Sequence, residues 1–238
     1  MDKYYEPGEQ LEEYTIIKKI GEGRYGIVYL GENARSERFI IKQLKKAMLK
    51  DTKKKRFYEP KILKQLNDPR FPKFISKFNN QSSEGYVLEY IEGTVCEDLL
   101  AKENHLFSRP EIYHITNELI DILSLLHSNN IVHRDIRTPN VILKENNQLV
   151  LIDFGLARYI NHQRYTVQTD YWYLGDFLIN LYYTSCYQES DVEEKPWFEE
   201  LDLNHKERTF LKKLMGIETP YADIEHLKKD FEDIYYTL

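Results

Sequence analysis

The hydrophobic pattern of this 238-residue chain changes at Gly93, and the change limits the folds open to it. Before Gly93, short apolar runs rich in β-branched and aromatic residues are separated by Gly, Asn and Ser, which predicts strands of a small antiparallel sheet. The predicted strands cover 14–17, 27–30, 39–41, 74–75 and 86–88. One helix is predicted among them over 56–66, ended by Asp68-Pro69.

After Gly93 the apolar residues recur at helical spacing. Ser108, Pro110 and Glu111 are typical of a helix start, and the pattern continues to His127. Two short strands are predicted on either side of a turn, and three more helices follow. The predicted strands cover 141–143 and 149–152, and the helices 172–183, 206–215 and 222–231. A strand-rich front joined to a helix-rich back indicates an α+β fold.

Composition and charge exclude several classes of protein. Hydrophobic residues make up 42% and charged residues 30%, as in ordinary globular proteins. The net charge of -6 argues against coating nucleic acid or anionic membrane, so neither partner is expected. No run reaches the roughly 20 apolar residues that span a bilayer, and no apolar signal core opens the chain. Cys96 and Cys186 lack any metal or redox spacing, so we expect a soluble, cytoplasmic protein.

Three glycines lie close together early in the chain, in Ile20-Gly21-Glu22-Gly23-Arg24-Tyr25-Gly26-Ile27-Val28. Such a loop lets backbone N–H groups approach phosphate oxygens, but it is also typical of an ordinary hairpin turn. The loop lies between two predicted strands, which argues against a dinucleotide fold. Lys42 ends the next apolar strand, and Glu59 on the predicted helix could pair with it. In isolation, each is more simply an exposed surface residue.

Two later stretches carry the strongest chemical signal. His133-Arg134-Asp135 is followed by Asn140, and Asp153-Phe154-Gly155 comes after the next predicted strand. Phosphoryl transfer needs metal ions on phosphate oxygens, positive charge near the nucleotide and a group that accepts the hydroxyl proton. Asp135 suits the last role, while Asn140 and Asp153 offer the oxygen ligands that Mg²⁺ prefers.

Together, and in this order, these motifs resemble those of eukaryotic-type protein kinases. The resemblance runs from about Tyr14 to about Phe231. It is stronger still to minimal kinases of Gram-positive bacteria, which share Asp-Ile-Arg-Thr-Pro-Asn at 135–140 and Leu-Met-Gly-Ile-Glu at 214–218 and are classed as serine/threonine kinases.

The resemblance implies a two-lobed protein kinase fold and a domain organisation. A small antiparallel N-lobe would cover 14–91, a mainly helical C-lobe 92–238, and an N-terminal extension 1–13. It also implies ATP and Mg²⁺ as cofactors and Ser or Thr hydroxyls of protein substrates as acceptors. Self-phosphorylation is expected, with Tyr165, Thr166 and Thr169 as candidate acceptors.

Roles for individual residues follow from the same resemblance. Lys42 would contact the α- and β-phosphates and be held by Glu59. Asp135 would be the catalytic base, Arg137 would stand at the γ-phosphate contact, and Asn140 and Asp153 would bind magnesium. The implied ATP-binding residues are Ile20, Gly21, Glu22, Gly23, Arg24, Tyr25, Gly26, Val28, Ile40, Lys42, Leu88, Glu89, Ile91 and Ile142.

The chain departs from the family pattern in four places. Asp170, which opens the Asp-x-Trp-x-x-Gly motif, follows Asp153 by only 17 residues, and the chain contains no Ala-Pro-Glu. Tyr221 stands about where the family has the arginine that pairs with the glutamate of Ala-Pro-Glu. Arg137 replaces the usual lysine, and the two cations are not equivalent at a phosphate. Two substitutions affect the N-lobe: Ile40 replaces the usual alanine over adenine, and Pro60 predicts a late helix start that could make the pairing of Lys42 and Glu59 conditional.

Two alternative functions remain open at this stage. A small-molecule kinase of the same fold would usually lack the complete Asp-Phe-Gly motif and carry larger C-terminal insertions. A nucleotide-binding pseudokinase scaffold would usually have lost the lysine, the base or a metal ligand, whereas this chain retains all of them. The sequence therefore favours an active protein kinase.

Overall fold

A computed structural model describes residues 2–24, 26–49, 58–161, 163–185 and 195–235. The chain forms two compact units, Met1–Glu92 and Gly93–Leu238, which are described separately below. Within the described residues, no helix has the length and apolar character needed to cross a membrane.

The first unit is built on an antiparallel sheet, which has six strands within the described residues. These are β1 (Gln10–Leu11), β2 (Tyr14–Glu22), β3 (Gly26–Glu32), β4 (Arg38–Leu44), β5 (Phe74–Asn79) and β6 (Glu84–Glu89). Their order is β1-β2-β3-β4-β6-β5. Each of the five predicted apolar runs lies inside one of these strands, so the predicted sheet is confirmed.

Side chains alternate between the two faces of this sheet. Ile27, Tyr29 and Ile41 are fully buried in one hydrophobic cluster, so the intervening Val28 and Lys42 project from the opposite face. The predicted N-terminal extension contributes to the same cluster through Tyr5 and Leu11, which are 5% and 2% exposed. It also supplies β1, so these residues pack as part of the unit.

Two helices, α1 (Lys46–Leu49) and α2 (Tyr58–Gln65), lie between β4 and β5. The helix predicted over 56–66 is confirmed as α2, although Arg56 and Phe57 lie outside the described residues. Both Glu59 and Pro60 lie in the first turn of α2 that the structure describes. Pro60 is therefore compatible with a helix that already includes Glu59.

The second unit is mainly helical. Its helices are α3 (Cys96–Ala101), α4 (Arg109–Ser128), α5 (Val167–Tyr183), α6 (Trp197–Glu200), α7 (His205–Leu214) and α8 (Ile224–Tyr235). Its strands are β7 (Thr94–Val95), β8 (Ile131–Val132), β9 (Val141–Leu143), β10 (Leu149–Leu151) and β11 (Arg158–Tyr159). They form two small sheets, ordered β10-β9-β7 and β11-β8.

The predicted helices of this unit are confirmed, but the boundaries predicted for two of them were wrong. Helix α5 begins at Val167, five residues before the predicted start at Trp172, and α8 covers Ile224–Tyr235 where 222–231 was predicted. Helix α4 begins and ends close to its prediction, because the Glu111 carboxylate accepts the backbone N–H of Ser108 at 2.8 Å and caps its start.

A buried carboxylate ties three helices of this unit together. Glu207 on α7 is 2% exposed and accepts hydrogen bonds from Tyr113 Oη on α4 at 2.5 Å and from Tyr182 Oη on α5 at 3.3 Å. Arg109 Nε donates to the same oxygen at 3.1 Å, and the backbone N–H of Asn204 donates to the other at 2.6 Å. Burial, followed by the contact with Glu207, raises the pKa of Tyr113.

Replacing this carboxylate tests its part in stability. We expect Glu207→Ala to lower the free energy of unfolding by about 2 to 3 kcal/mol, because a buried hydroxyl, a half-buried hydroxyl and a partly exposed guanidinium lose the acceptor that they share. Urea denaturation measures the change. The matched control is Glu232→Ala on the exposed face of α8, which we expect to change stability by less than about 0.5 kcal/mol. Equal losses in the two variants would contradict the assignment.

Candidate active site

The glycine-rich loop joins β2 to β3, as the order of the predicted strands required. The Gly23 N–H donates to the Gly26 carbonyl at 2.9 Å and closes the turn, while Tyr25 lies outside the described residues. A Cβ on Gly26 would lie 2.5 Å from the Gln43 carbonyl oxygen of β4, so only glycine fits there. A Cβ on Gly23 would meet nothing within 4 Å, which leaves open space beside the turn.

Lys42 and Glu59 form an ion pair in the first unit. Lys42 Nζ lies 2.8 Å from Glu59 Oε1 and 3.1 Å from Oε2. Tyr86 Oη donates to Glu59 Oε2 at 2.6 Å, from the β6 position paired with Lys42 in the ladder. Glu59 is only 4% exposed, and its two partners compensate for the loss of hydration.

The residues implied to surround adenine differ in burial. Val28 and Ile40 are half-buried on the Lys42 face of the sheet, and Ile20 is 47% exposed. Leu88 is buried at the end of β6, while Ile91 follows in the loop. In the second unit, Ile142 on β9 is also buried. The Glu89 N–H donates to the Lys73 carbonyl at 2.9 Å, so this N–H is already engaged within the first unit.

In the second unit, Asp135 is 8% exposed and receives hydrogen bonds at both carboxylate oxygens. Arg137 binds it as a fork, with Nε 2.6 Å from Oδ1 and Nη2 3.1 Å from Oδ2. Asn140 Nδ2 also donates to Oδ2, at 2.9 Å. The hydrogen bond from Arg137 to Asp135 is the main reason that the pKa of the guanidinium is raised. The arginine predicted at a γ-phosphate contact thus holds the predicted base.

Asn140 and Asp153 are the residues predicted to bind magnesium. Both amide hydrogens of Asn140 are directed to Asp135, at its backbone carbonyl and at Oδ2, which leaves the amide oxygen as the remaining polar atom of the side chain. Asp153 has a left-handed backbone with φ of 62°, and its Oδ1 accepts the Gly155 N–H at 3.3 Å. An amide oxygen and a carboxylate are donors that fit Mg²⁺.

Asp170 of α5 holds the backbone in front of Asp135. Its fully buried carboxylate accepts the N–H groups of His133 at 3.0 Å and Arg134 at 2.7 Å. His127 Nε2 donates to it at 2.9 Å. Arg134 has a left-handed backbone with φ of 69°, so these two consecutive hydrogen bonds stabilise a conformation that is rare for a residue with a Cβ.

His133 is buried against Phe154, with ring centroids 4.7 Å apart in an edge-to-face arrangement. Its Nε2 donates to the Ile152 carbonyl at 3.2 Å, while its Nδ1 is buried without a hydrogen-bond partner among the described residues. Burial lowers the pKa of His133, so the neutral ring is favoured. From the sequence, His133 could be recognised only as part of the His-Arg-Asp motif. Its packing against Phe154 is seen only in the structure.

The short interval between Asp153 and Asp170 contacts Arg134. The Arg134 guanidinium donates to the Leu156 carbonyl at 3.1 Å and lies 4.7 Å from the ring centroid of Tyr165. The candidate phosphorylation sites Tyr165, Thr166 and Thr169 are all half-buried. Thr166 directly precedes α5, and Thr169 lies in its first turn.

Tyr221, which stands where the family arginine was expected, bridges two helices. It is 5% exposed, and its hydroxyl donates to Asp230 Oδ2 on α8 at 3.0 Å. Lys213 of α7 lies 2.6 Å from the same oxygen. A neutral hydroxyl and a lysine therefore share this carboxylate. Burial, and then the contact with Asp230, raises the pKa of Tyr221.

The chain matches the family model of the protein kinase domain over residues 14–202, and it therefore belongs to the protein kinase family. It is 34% identical over 226 residues to the probable serine/threonine-protein kinase YbdM of Bacillus subtilis (strain 168), covering 92% of this chain and 88% of YbdM. These similarities identify a protein serine/threonine kinase with the two-lobed kinase fold, as the motifs predicted. As such it uses ATP as a substrate, typically with a divalent metal ion.

Other relatives are longer proteins. Myosin light chain kinase A of Dictyostelium discoideum is 32% identical over 161 residues, which cover 66% of this chain and 54% of that protein. Cyclin-dependent kinase-like 1 of Caenorhabditis elegans is 33% identical over 177 residues, which cover 71% of this chain and 49% of that protein. The chain thus spans about half the length of these two relatives, and their similarity is confined to the part that matches.

The hydroxyl of Tyr86 provides a test of how Glu59 is positioned. We expect Tyr86→Phe to lower kcat/KM for ATP about three- to tenfold, because Glu59 loses the hydrogen bond from Tyr86 that helps to orient its carboxylate toward Lys42. Steady-state kinetics measure the effect. Tyr113→Phe is the matched control, since it removes a buried tyrosine–glutamate hydrogen bond from the second unit. We expect the control to lower thermal stability without a comparable kinetic loss, and equal kinetic losses would contradict the role of Tyr86.

The pH dependence of stability tests the environment of His133. Because burial lowers the pKa of this ring below its ordinary value of 6.5, the unfolded chain binds a proton near that pH that the folded chain does not. Stability should fall as the pH decreases below about 6.5, by at most about 1.4 kcal/mol per pH unit from this group. We expect His133→Phe to be less stable at pH 7.5 but to show a shallower fall. Urea denaturation of both proteins from pH 7.5 to pH 5 measures how the free energy of unfolding changes with pH. Identical slopes in the wild type and in His133→Phe would contradict the assignment.

Proposed function

We propose that this kinase transfers the γ-phosphate of ATP to serine or threonine hydroxyls of proteins, with Asp135 as general base. The observation that carries the proposal is the arrangement at Asp135, whose carboxylate is fixed by Arg137 and Asn140 through three hydrogen bonds. Oδ2 accepts two of these hydrogen bonds and Oδ1 accepts one, so Oδ1 has a further lone pair with which to accept a hydroxyl proton. As the substrate oxygen bonds to phosphorus and the bond to ADP breaks, the hydroxyl proton passes to Asp135.

Lys42 supplies positive charge to the phosphates in this proposal. Its ammonium is held by Glu59, and Glu59 is held in turn by Tyr86. A lysine fixed in this way needs little reorganisation when an anion binds. Within the first unit, the glycine-rich loop would cover the phosphates and Leu88 would contact the adenine.

Magnesium is the proposed metal ion, and Asn140 and Asp153 would hold it. When bound, such an ion would supply positive charge that offsets the negative charge of the phosphates. The chain's own contribution is to hold Asn140 in one orientation through Asp135, and Asp153 through Gly155.

A cavity of about 200 Å³ in the second unit supports a polypeptide acceptor. It borders Arg137 and Thr138, so it adjoins the proposed base. Carboxylates of Glu97 and Asp176 and the amide of Asn180 give it a polar lining. Such groups can bind a peptide backbone or its polar side chains. The net charge of -6 also favours protein partners over nucleic acid.

Removal of the proposed base is the direct test. Wild-type chain, ATP, Mg²⁺ and a general protein substrate should give phosphoserine or phosphothreonine by mass spectrometry. We expect Asp135→Asn to lower the rate about 10² to 10⁴-fold. Asp202→Asn, at a fully exposed carboxylate, is the matched control and should retain activity. Chelation of the metal by EDTA should abolish transfer in every chain.

Other outcomes would point to a different function. Phosphorylation of metabolites without protein acceptors would indicate a small-molecule kinase, and nucleotide binding without turnover would indicate a scaffold. The same spectra test the proposed self-phosphorylation at Tyr165, Thr166 and Thr169. Phosphate on any of them in the wild type and its loss in Asp135→Asn is the expected result. Unmodified wild-type chain would contradict self-phosphorylation alone.

The proposed location is the cytoplasm. Cys96 is a free, buried cysteine, and burial raises its thiol pKa to about 12, so it is held in an unreactive form. Such a cysteine is compatible with the reducing interior of a cell.

A further inference from the structure

The residues that precede the sheet, Asp2 to Tyr5, lie along the first unit and are called here the N-terminal strap. Tyr5 anchors it. Its ring is buried edge-to-face against Tyr29 with centroids 5.9 Å apart, its N–H donates to Tyr29 Oη at 3.2 Å, and its hydroxyl shares a hydrogen bond of 2.9 Å with Ser83 Oγ. The strap is therefore fixed to the sheet face opposite Lys42.

Two further contacts join the strap to the end of β4 and to the start of α1. The Lys3 carbonyl accepts a hydrogen bond from Gln43 Nε2 at 2.9 Å, and Gln43 is only 1% exposed. Asp2 Oδ1 accepts the Lys46 N–H at 2.6 Å. In the ladder, Gly26 pairs with Leu44, so these contacts lie beside the strand residues that flank the glycine-rich loop.

The side chain of Tyr4 connects the strap to the loop itself. Its hydroxyl donates to Glu22 Oε1 at 2.9 Å, and Glu22 is the last residue of β2, between Gly21 and Gly23. Lys45 Nζ lies 2.7 Å from the same oxygen, and Lys19 Nζ lies 3.2 Å from Oε2. Glu22 thus links three chain segments where the loop begins.

The carboxylate of Glu22 stays charged over the working range of an enzyme. Hydrogen bonds from Lys45, Tyr4 and Lys19 lower its pKa to about 2. Its three donors come from the strap, from β2 and from the residue that follows β4. A permanent anion with three donors is a stable junction, although each contact is partly exposed to solvent.

We propose that the N-terminal strap positions the glycine-rich loop for ATP, with Tyr4 acting through Glu22 as a positioning residue. Glycines give the loop many accessible conformations, and binding a nucleotide requires that it adopt one of them. A restraint on the start of the loop lowers that entropic cost, so it should appear as affinity for ATP. This inference rests on the proposed role of residues 21–26 in binding ATP.

The removal of one hydroxyl tests the strap without unfolding it. Tyr4→Phe should raise KM for ATP about two- to fivefold with little change in kcat, since only loop ordering is affected. Tyr183→Phe is the matched control, because it removes a surface tyrosine–glutamate hydrogen bond of 2.6 Å, to Glu200, from the second unit. KM for ATP should be unchanged in the control. An unchanged KM in Tyr4→Phe, or an equal rise in both variants, would overturn the proposal.

Glu22→Ala separates a positioning role from a general one. If Tyr4 acts through Glu22, adding Tyr4→Phe to Glu22→Ala should raise KM no further. Additive effects of the two substitutions would show that Tyr4 acts by another route and would overturn the proposed link.

Hydrogen exchange provides a readout that does not depend on catalysis. Without nucleotide, amides of the peptide covering residues 21–26 should exchange faster in Tyr4→Phe than in wild type and Tyr183→Phe. Unchanged exchange in Tyr4→Phe would overturn the claim that the N-terminal strap restrains the loop, whether or not the chain binds ATP. Faster exchange in a chain whose wild type binds no ATP would instead overturn the proposed nucleotide site and leave the restraint itself established.

Discussion

The proposed catalytic part of the second unit depends on one buried carboxylate, that of Asp170. A buried anion is costly unless hydrogen bonds replace its hydration, and Asp170 obtains them from two consecutive backbone N–H groups and from His127. The same bonds keep Arg134 in a left-handed conformation. The direction in which the chain leaves Arg134 decides where Asp135 lies, so a residue of helix α5, far along the sequence, positions the proposed base.

The two units share one pattern, in which neighbouring side chains hold a charged side chain in place. Glu59 orients Lys42 and is held by Tyr86, while Arg137 and Asn140 hold Asp135. In each unit the residue assigned to chemistry has partners that limit its rotamers. Such preorganisation reduces the reorganisation that accompanies reaction, and it is built separately into each unit.

The sequence predicted the residues whose chemistry is local to a motif, and it missed those whose partners come from elsewhere. The pairing of Lys42 with Glu59 followed from a resemblance, but Tyr86 could be found only from the β4–β6 register. The predicted start of helix α5 lay too far along the chain because Val167, Gln168 and Thr169 lack an apolar helical pattern. The first turn of this helix is instead held by Asp170, which accepts hydrogen bonds from the loop before Asp135.

The N-terminal residues and helix α3 show the same limit. The apolar residues of 1–13 follow no clear helical or strand period, so the sequence does not predict that Tyr5 is buried. Its burial results from contacts with Tyr29 and Ser83, far along the chain. Helix α3 has six residues and begins directly after β7, which is too short for a periodic signal. Prediction succeeded where a long apolar pattern or a complete motif was present, as in α4 and around Asp135.

The contact of Arg134 with Tyr165 affects how this part of the chain responds to salt. The ring that faces the guanidinium is neutral and belongs to the chain itself. Attraction between a cation and a ring face depends on the ring quadrupole, so salt screens it less than it screens an ion pair between surface charges. In the unmodified chain, this arginine therefore needs no added phosphate as its partner.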